Sequence, residues 1–194
     1  MDMRTLPLFR DDAYARETSA AILHVPAAPV GALAPGETVT ARIDWARRFA
    51  HMRMHTALHL LCALVRYPVT GGAVHAEESR LDFDIEDAGA VDKDALTEAL
   101  NALVSADHPV TARWISDEEL AASPGLVRTM SVKPPTGTGK VRLVEIGEGG
   151  AVDLQPCGGT HVRSTAEIGP LVITKIEKKG RQNRRIRIRF AENA

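Results

Sequence analysis

His55, His59, Cys157 and His161 are the residues of this chain whose types and spacing can do chemistry. The first two sit in the run 54–61 and the last two in the run 156–162. Side chains four positions apart on a helix share one face, so His55 and His59 offer two imidazole donors side by side. Cys157 and His161 repeat that spacing about 100 residues downstream. One thiolate with three imidazoles forms a tetrahedral nitrogen/sulfur set, which suits Zn2+ better than Mg2+ or Ca2+. His51 extends the stripe, and spacing alone leaves it in competition with His59 as the partner of His55. His75 and His108 have no partner at ligand spacing and read as structural.

Two other chemistries are set aside by single positions. The helical H-E-x-x-H motif of metallopeptidases needs a glutamate after its first histidine, to take a proton from water. Here that position is Thr56. The stretch 136–140 resembles a phosphate loop, but Pro134 and Val141 stand where Gly and Ser/Thr are required, so no ATP site is expected. A structural zinc knot is the remaining alternative, since four protein ligands close a coordination sphere.

The elements that must position these residues follow from periodicity. Asp44 caps a helix to about Arg66, with Trp45, Phe49, Met52, Leu58, Leu61, Cys62 and Val65 at helical intervals and Pro68 as the stop. Residues 80–85 read as a strand. Asp92 opens a second helix with Leu96, Ala99, Leu100 and Leu103 as its buried stripe. Ser116 and Glu119 have capping-box spacing for a short helix ending before Pro124. Strands are expected at 141–146 and 151–154, flanking a Gly147–Gly150 hairpin, and at 168–177 and 184–190. In the last of these, Ile186, Ile188 and Phe190 face one way and Arg185, Arg187 and Arg189 the other. Helices and antiparallel strands in separate runs point to an α+β fold. Residues 1–44, with a Pro/Ala/Gly segment at 26–36, read as a small β appendage, and 45–194 as the main domain.

The net charge of −1 conceals an uneven distribution. Nine acids lie between Glu77 and Glu98, against Arg80 and Lys93. Eight bases lie between Lys175 and Arg189, against Glu177 alone. A basic tail on a near-neutral chain points to a localised anionic partner. Two cysteines exclude a disulfide framework, and Cys62 falls inside the apolar helix as a small buried thiol. With no leader or membrane-length apolar run, a cytoplasmic protein without a membrane partner is expected.

His55-Thr56-Ala57-Leu58-His59, Ser79-Arg80-Leu81-Asp82-Phe83-Asp84 and Cys157-Gly158-Gly159-Thr160-His161 together resemble the editing domain of alanyl-tRNA synthetase, and more specifically its free-standing relatives, the AlaX family. The likeness runs from about Ile43 to Phe190. The related threonyl-tRNA synthetase domain typically has Pro where this chain has Thr160. The resemblance implies an editing-domain fold, an antiparallel sheet with packed helices, preceded by a small, shortened β-barrel. Residues 9–16 and 37–48 look like the ends of that barrel, and 26–36 lacks the glycine cluster associated with choosing tRNA(Ala).

It further implies a zinc-dependent deacylase that hydrolyses mischarged tRNA(Ala) in trans, chiefly seryl-tRNA(Ala) and secondarily glycyl-tRNA(Ala). Its one Zn2+ per chain would be held by His55, His59, Cys157 and His161. The substrate is an activated ester, so a positioned water and stabilisation of the developing oxyanion suffice. A pocket that hydrogen-bonds the serine hydroxyl rejects alanine by leaving polar groups unpaired. Thr56 and Thr70 are candidates for that role, while Gly158 and Gly159 would let backbone amides approach the ester or the terminal adenosine. Lys178, Lys179, Arg181, Arg184 and Arg185 are expected to meet tRNA phosphates, giving salt-sensitive binding. The alternatives are a zinc-stabilised RNA-binding module without hydrolysis and a metallohydrolase acting on another small ester.

Overall fold

The computed structural model describes residues 42–87, 89–127 and 139–191, with the short pieces 17–18, 21–22, 36–38 and 40. The chain divides into two compact units, Met1–Arg42 and Ile43–Ala194. In the first, β1 (Glu17–Thr18) pairs antiparallel with β2 (Ala21–Ile22). The barrel expected before the main domain, including residues 9–16, falls largely outside the described residues.

The second unit opens with α1 (Trp45–Leu64). Its first turn is closed by the Asp44 carboxylate, which accepts from the Arg47 amide at 3.0 Å, satisfying a backbone donor that the helix cannot. The buried positions run from Met54 to Cys62, and Val65 ends the helix ahead of Pro68. Next come β3 (Val69–Ala73) and β4 (Glu78–Asp84), then α2 (Lys93–Ser105), capped by Asp92 through the Ala95 amide at 2.7 Å. The stripe that α2 buries is Leu96, Leu100 and Val104, with Leu103 at its margin. After β5 (Val110–Ser116), α3 (Asp117–Ala121) starts from a complete capping box between Ser116 and Glu119. Four strands finish the chain: β6 (Lys140–Ile146), β7 (Asp153–Pro156), β8 (Leu171–Lys178) and β9 (Asn183–Phe190).

These strands form two antiparallel sheets, in the orders β3-β4-β9-β8 and β5-β6-β7. The α+β expectation therefore holds, but strands and helices interleave instead of falling into separate runs. β5 received no strand assignment from the sequence, because four successive residues on it are exposed and no burial alternation marks it. Residues 165–168 form a single 3-10 turn, so β8 starts at Leu171, later than expected. The main core joins α1 and α2 to the larger sheet through Met54, Leu60, Leu61, Phe83, Leu100, Ile173, Ile186 and Ile188. A smaller cluster of Ile115, Leu120, Val141 and Leu143 lies under one face of the second sheet.

The sheet register also resolves the uneven charge. β4 lies directly against β9, pairing Asp82 with Arg185, Arg80 with Arg187 and Glu78 with Arg189. Arg185 grips Asp82 with two nitrogens, at 2.8 and 2.9 Å, and Arg80 reaches the same carboxylate at 2.7 Å. Arg187 bonds both Glu177 at 2.7 Å and Glu78 at 2.9 Å. Asp82 and Glu78 from the middle of the chain thus engage Arg185 and Arg187 of the basic tail, while Lys175 and Lys179 lie beside Glu177. The alternation expected on β9 is seen, with Ile186 and Ile188 inward and Arg185, Arg187 and Arg189 outward. Arg184 falls on the inward side, only 6% exposed, with its guanidinium near the Glu86 carbonyl.

Asp82 is only 7% exposed, and the Arg185 guanidinium, opposed by burial and helped by Arg80, holds its carboxyl below the usual range. A depressed carboxyl pKa stabilises the fold above the unfolded-state value, and that contribution is lost as pH falls through the folded-state value. Asp82→Asn is therefore expected to cost about 2 kcal/mol at pH 7. In urea titrations the gap from the parent protein should narrow as the pH drops below the ordinary carboxylate range. A gap that stays constant with pH would contradict this account.

Candidate metal centre and its supports

The imidazoles of His55 and His59 come from the middle of α1, while Cys157 and His161 come from the loop after β7. The backbone hangs that loop on the second sheet, for the Cys157 amide donates to the Arg142 carbonyl at 3.0 Å. One ligating atom from each of the four residues lies within 4.8 Å of the others. The Cys157 sulfur is 3.5 Å from His55 Nε2 and 3.4 Å from His161 Nε2. A tetrahedron with bonds of about 2.0–2.3 Å has edges of about 3.3–3.8 Å, so these spacings suit a zinc-sized ion, with the widest pair closing slightly. His51, half-buried one turn earlier, is outside this group.

The protonation pattern also suits a cation. Burial opposes the Cys157 thiolate, but hydrogen bonds from His161, His55 and His59 outweigh it and hold the pKa down to about 3. Burial likewise opposes charge on His59, yet Asp153 and Cys157 push its pKa up to about 9. His161 is pushed down to about 4, by burial first and by the neighbouring imidazoles after it. Near neutral pH Cys157 is thus held as a thiolate beside a protonated His59. A divalent ion bound at these donors would take the place of the His59 proton.

His59 and Cys157 are supported by groups that sequence spacing did not reveal. Asp153, 4% exposed, accepts from His59 Nδ1 at 2.9 Å, which leaves Nε2 for a metal. Gln155 donates to the same Asp153 oxygen at 2.7 Å. Arg142 Nη1 donates to the carbonyls of Cys157 and Gly159, both at 2.9 Å, and so fixes the curvature of the loop. The only sequence signal for these residues is the two-residue step 153, 155, 157 running into the cysteine. That step places all three on one side of a strand.

The remaining candidates fall in different places. Thr56 is fully buried; its hydroxyl donates to the Met52 carbonyl at 3.0 Å, accepts from the Val162 amide at 3.3 Å and lies 3.1 Å from His161 Nδ1. Thr56 is thus closed off from solvent, its hydroxyl held between the α1 backbone, the Val162 amide and the His161 ring. Thr70 lies on β3, 3.2 Å from the Asp82 carbonyl and 3.1 Å from Asn183 Oδ1. Gly159 has a steric reason to lack a side chain, since a Cβ there would stand 2.6 Å from His55 Nδ1. Its amide donates to the Cys157 sulfur at 3.4 Å, which stabilises the thiolate. Gly158 is exposed, with open space where a Cβ would go. Among the expected phosphate contacts, Lys178, Lys179 and Arg181 are exposed at the β8–β9 turn. Arg184 is buried with its guanidinium turned to the Glu86 carbonyl, and Arg185 is engaged by Asp82.

Residues 141–187 match the family model described as the threonyl and alanyl tRNA synthetase second additional domain. That span holds Cys157 and His161 but not the α1 histidines. Relatives extend the match across α1. The alanyl-tRNA editing protein AlaX-M of Methanosarcina acetivorans is 35% identical over 161 residues, covering 79% of this chain and 63% of its own. AlaX-M of Saccharolobus solfataricus is 33% identical over 163 residues, covering 80% of this chain and 65% of its own. The alanine–tRNA ligase of Pyrobaculum neutrophilum is 34% identical over 151 residues, 74% of this chain but 17% of the ligase. Fold and site thus define a synthetase-type editing domain. Within that class the chain is similar over most of its length to proteins of the AlaX family, and it spans just under two thirds of the length of those AlaX-M relatives.

Asp153→Asn is expected to weaken metal retention about 10- to 100-fold, because the amide no longer holds His59 with Nε2 turned to the ion. Competition against a chelator of known affinity measures this, with circular dichroism confirming an intact fold. Retention equal to that of the parent protein would remove Asp153 from the site.

Proposed function

We propose that this chain is a trans-editing hydrolase that deacylates mischarged tRNA(Ala), chiefly seryl-tRNA(Ala) and secondarily glycyl-tRNA(Ala). The observation that carries the reading is the convergence of His55, His59, Cys157 and His161 on the scaffold that alanyl-tRNA editing relatives share with this chain. The metal is proposed to be one Zn2+ per chain, on the strength of the nitrogen/sulfur donors and their spacing. Bound there, zinc supplies positive charge that orients the aminoacyl end and steadies the charge developing on the ester oxygen.

The chain's own residues prepare the rest. His55, Cys157 and His161 are half-buried while His59 is buried, so the aminoacyl end approaches from the side of the Cys157–His161 loop. Asp153, Gln155 and Thr56 hold the imidazoles in fixed orientations, which avoids reorganisation as the ester reacts. Arg142 keeps the loop curved around the thiolate. Gly158 is the exposed position where backbone and substrate can come closest. Thr70 is the proposed partner for the serine hydroxyl, half-buried on the strand that follows α1, with Asn183 beside it to complete the hydrogen bonding. Alanine entering such a pocket leaves those groups unpaired.

The test is release of amino acid from seryl-tRNA(Ala) and alanyl-tRNA(Ala) by metal-assayed protein, beside Cys157→Ala. Loss of serine alone, slowed at least 100-fold in the variant, is the expected result. Stoichiometric zinc with no release from either substrate would replace this reading with an RNA-binding module. For the tRNA body, the exposed cations at the β8–β9 turn are the proposed phosphate contacts. Reversing Lys178, Lys179 and Arg181 to Glu should weaken binding and reduce the dependence of log K on log salt by about 2 to 3. An unchanged slope would remove that turn from the interface.

A further inference from the structure

Trp114 is 63% exposed on a strand that leads toward the metal centre. An indole is costly to leave in water, and an exposed aromatic next to a site is a common mark of a binding surface. The pairing of the second sheet places it closely. Trp114 stands directly opposite Arg142 on β6, and the Cys157 amide donates to the Arg142 carbonyl at 3.0 Å. Trp114 and Arg142 thus line up, through that hydrogen bond, with Cys157 just past β7, a backbone separation of two strand spacings or about 10 Å.

The face on which Trp114 lies is the face of the site. Directly opposed residues in an antiparallel sheet project to the same side. Val110, Ile146 and Asp153 form one such row, Ala112, Val144 and Gln155 the next, and Trp114 with Arg142 the row at the loop. Asp153 and Gln155 reach His59 on that side, and Arg142 reaches the loop carbonyls. Farther along, Lys140 opposite Ser116 shares the face and is exposed. An aromatic plane with an exposed cation on the same face complements a base joined to a phosphate.

We infer that Trp114 is a stacking platform for the terminal adenine of the RNA 3′ end, seating the nucleoside whose ribose carries the ester beside the metal centre. The inference rests on the editing reading for the identity of its occupant. A terminal nucleoside extends from its ester, across the ribose, to the far edge of its base, which suits the step from Cys157 to Trp114. Recognition by stacking accepts any base, so Trp114 contributes position and affinity and not sequence choice.

The experiment uses the full chain with Trp45→Phe, leaving Trp114 as the single tryptophan of the two. Fluorescence is titrated with an uncharged acceptor-stem hairpin ending in CCA and with the same hairpin lacking its terminal adenosine. Quenching by the first and markedly less by the second is expected. In parallel, Trp114→Ala should raise the KM for seryl-tRNA about ten-fold or more with kcat within about two-fold, while Trp114→Phe keeps most of the affinity. Equal quenching by both hairpins, or an unchanged KM in Trp114→Ala, would overturn the inference. A protein-concentration-dependent shift of emission, accompanied by a doubling of mass and abolished by Trp114→Ala, would also overturn it, by assigning the surface to a second copy. If the parent protein releases no amino acid, the editing reading fails, and the hairpin titration still decides whether Trp114 receives a terminal base.

Discussion

The buried contact between His59 and Asp153 is the joint on which the rest of the site depends. It ties the middle of α1 to β7 and so brings together ligand pairs that are far apart in sequence. A carboxylate that is 4% exposed is expensive to desolvate unless its lone pairs are used. Asp153 uses them on an imidazole nitrogen and on the Gln155 amide, at 2.9 and 2.7 Å. The same two bonds fix which His59 nitrogen is left for a metal. Packing, electrostatics and ligand geometry therefore depend on one interaction, and weakening it would loosen the helix against the sheet as well as the donor set.

A second constraint operates on the other sheet. Counted along the chain, the acids of 77–98 and the bases of 175–189 look like separate charged regions awaiting partners. Register on β4 and β9 sets them rung against rung, and bidentate arginine–carboxylate contacts are the form in which such pairs are strongest. Exposed cations remain at Lys175 and Arg189 on the strands and at Lys178, Lys179 and Arg181 around the β8–β9 turn, with Lys175 and Lys179 beside Glu177. Linear charge counting cannot see which strands become neighbours.

The same distinction separates what was legible in the sequence from what was not. Asp44, Asp92 and the Ser116/Glu119 box act within three residues of themselves, so local pattern was enough to place the starts of all three helices. The His/Cys quartet was legible because its donor types and spacing repeat. Asp153, Gln155 and Arg142 were not, since each matters only through a partner on another strand or helix, and an isolated acid, amide or arginine carries no sign of that. Thr56 was noticed for its position beside His55, but that position sends its hydroxyl into the protein. On a helix, the residue following a ligand is rotated about 100° away from it, and here that rotation brings Thr56 under Val162 and His161. β5 escaped because residues 111–114 of this edge strand are exposed on both faces, so no alternation in burial marks it.

The metal group itself is asymmetric, and the asymmetry separates anchoring from access. On the His59 side, Asp153 and Gln155 are buried and hydrogen-bonded. On the other side, His55, Cys157 and His161 are half-buried, and the loop between the last two carries the exposed Gly158. Gly159 belongs to both sides: a side chain there would collide with the His55 ring, while its amide supports the thiolate. Donors confined to a closed knot would need no such open edge, and the indole beyond Arg142 would gain nothing from lying on the same face. A rigid inner side with an accessible outer one is what a site needs in order to hold an ion firmly while a bulky polymer brings its reactive end to the surface and leaves again.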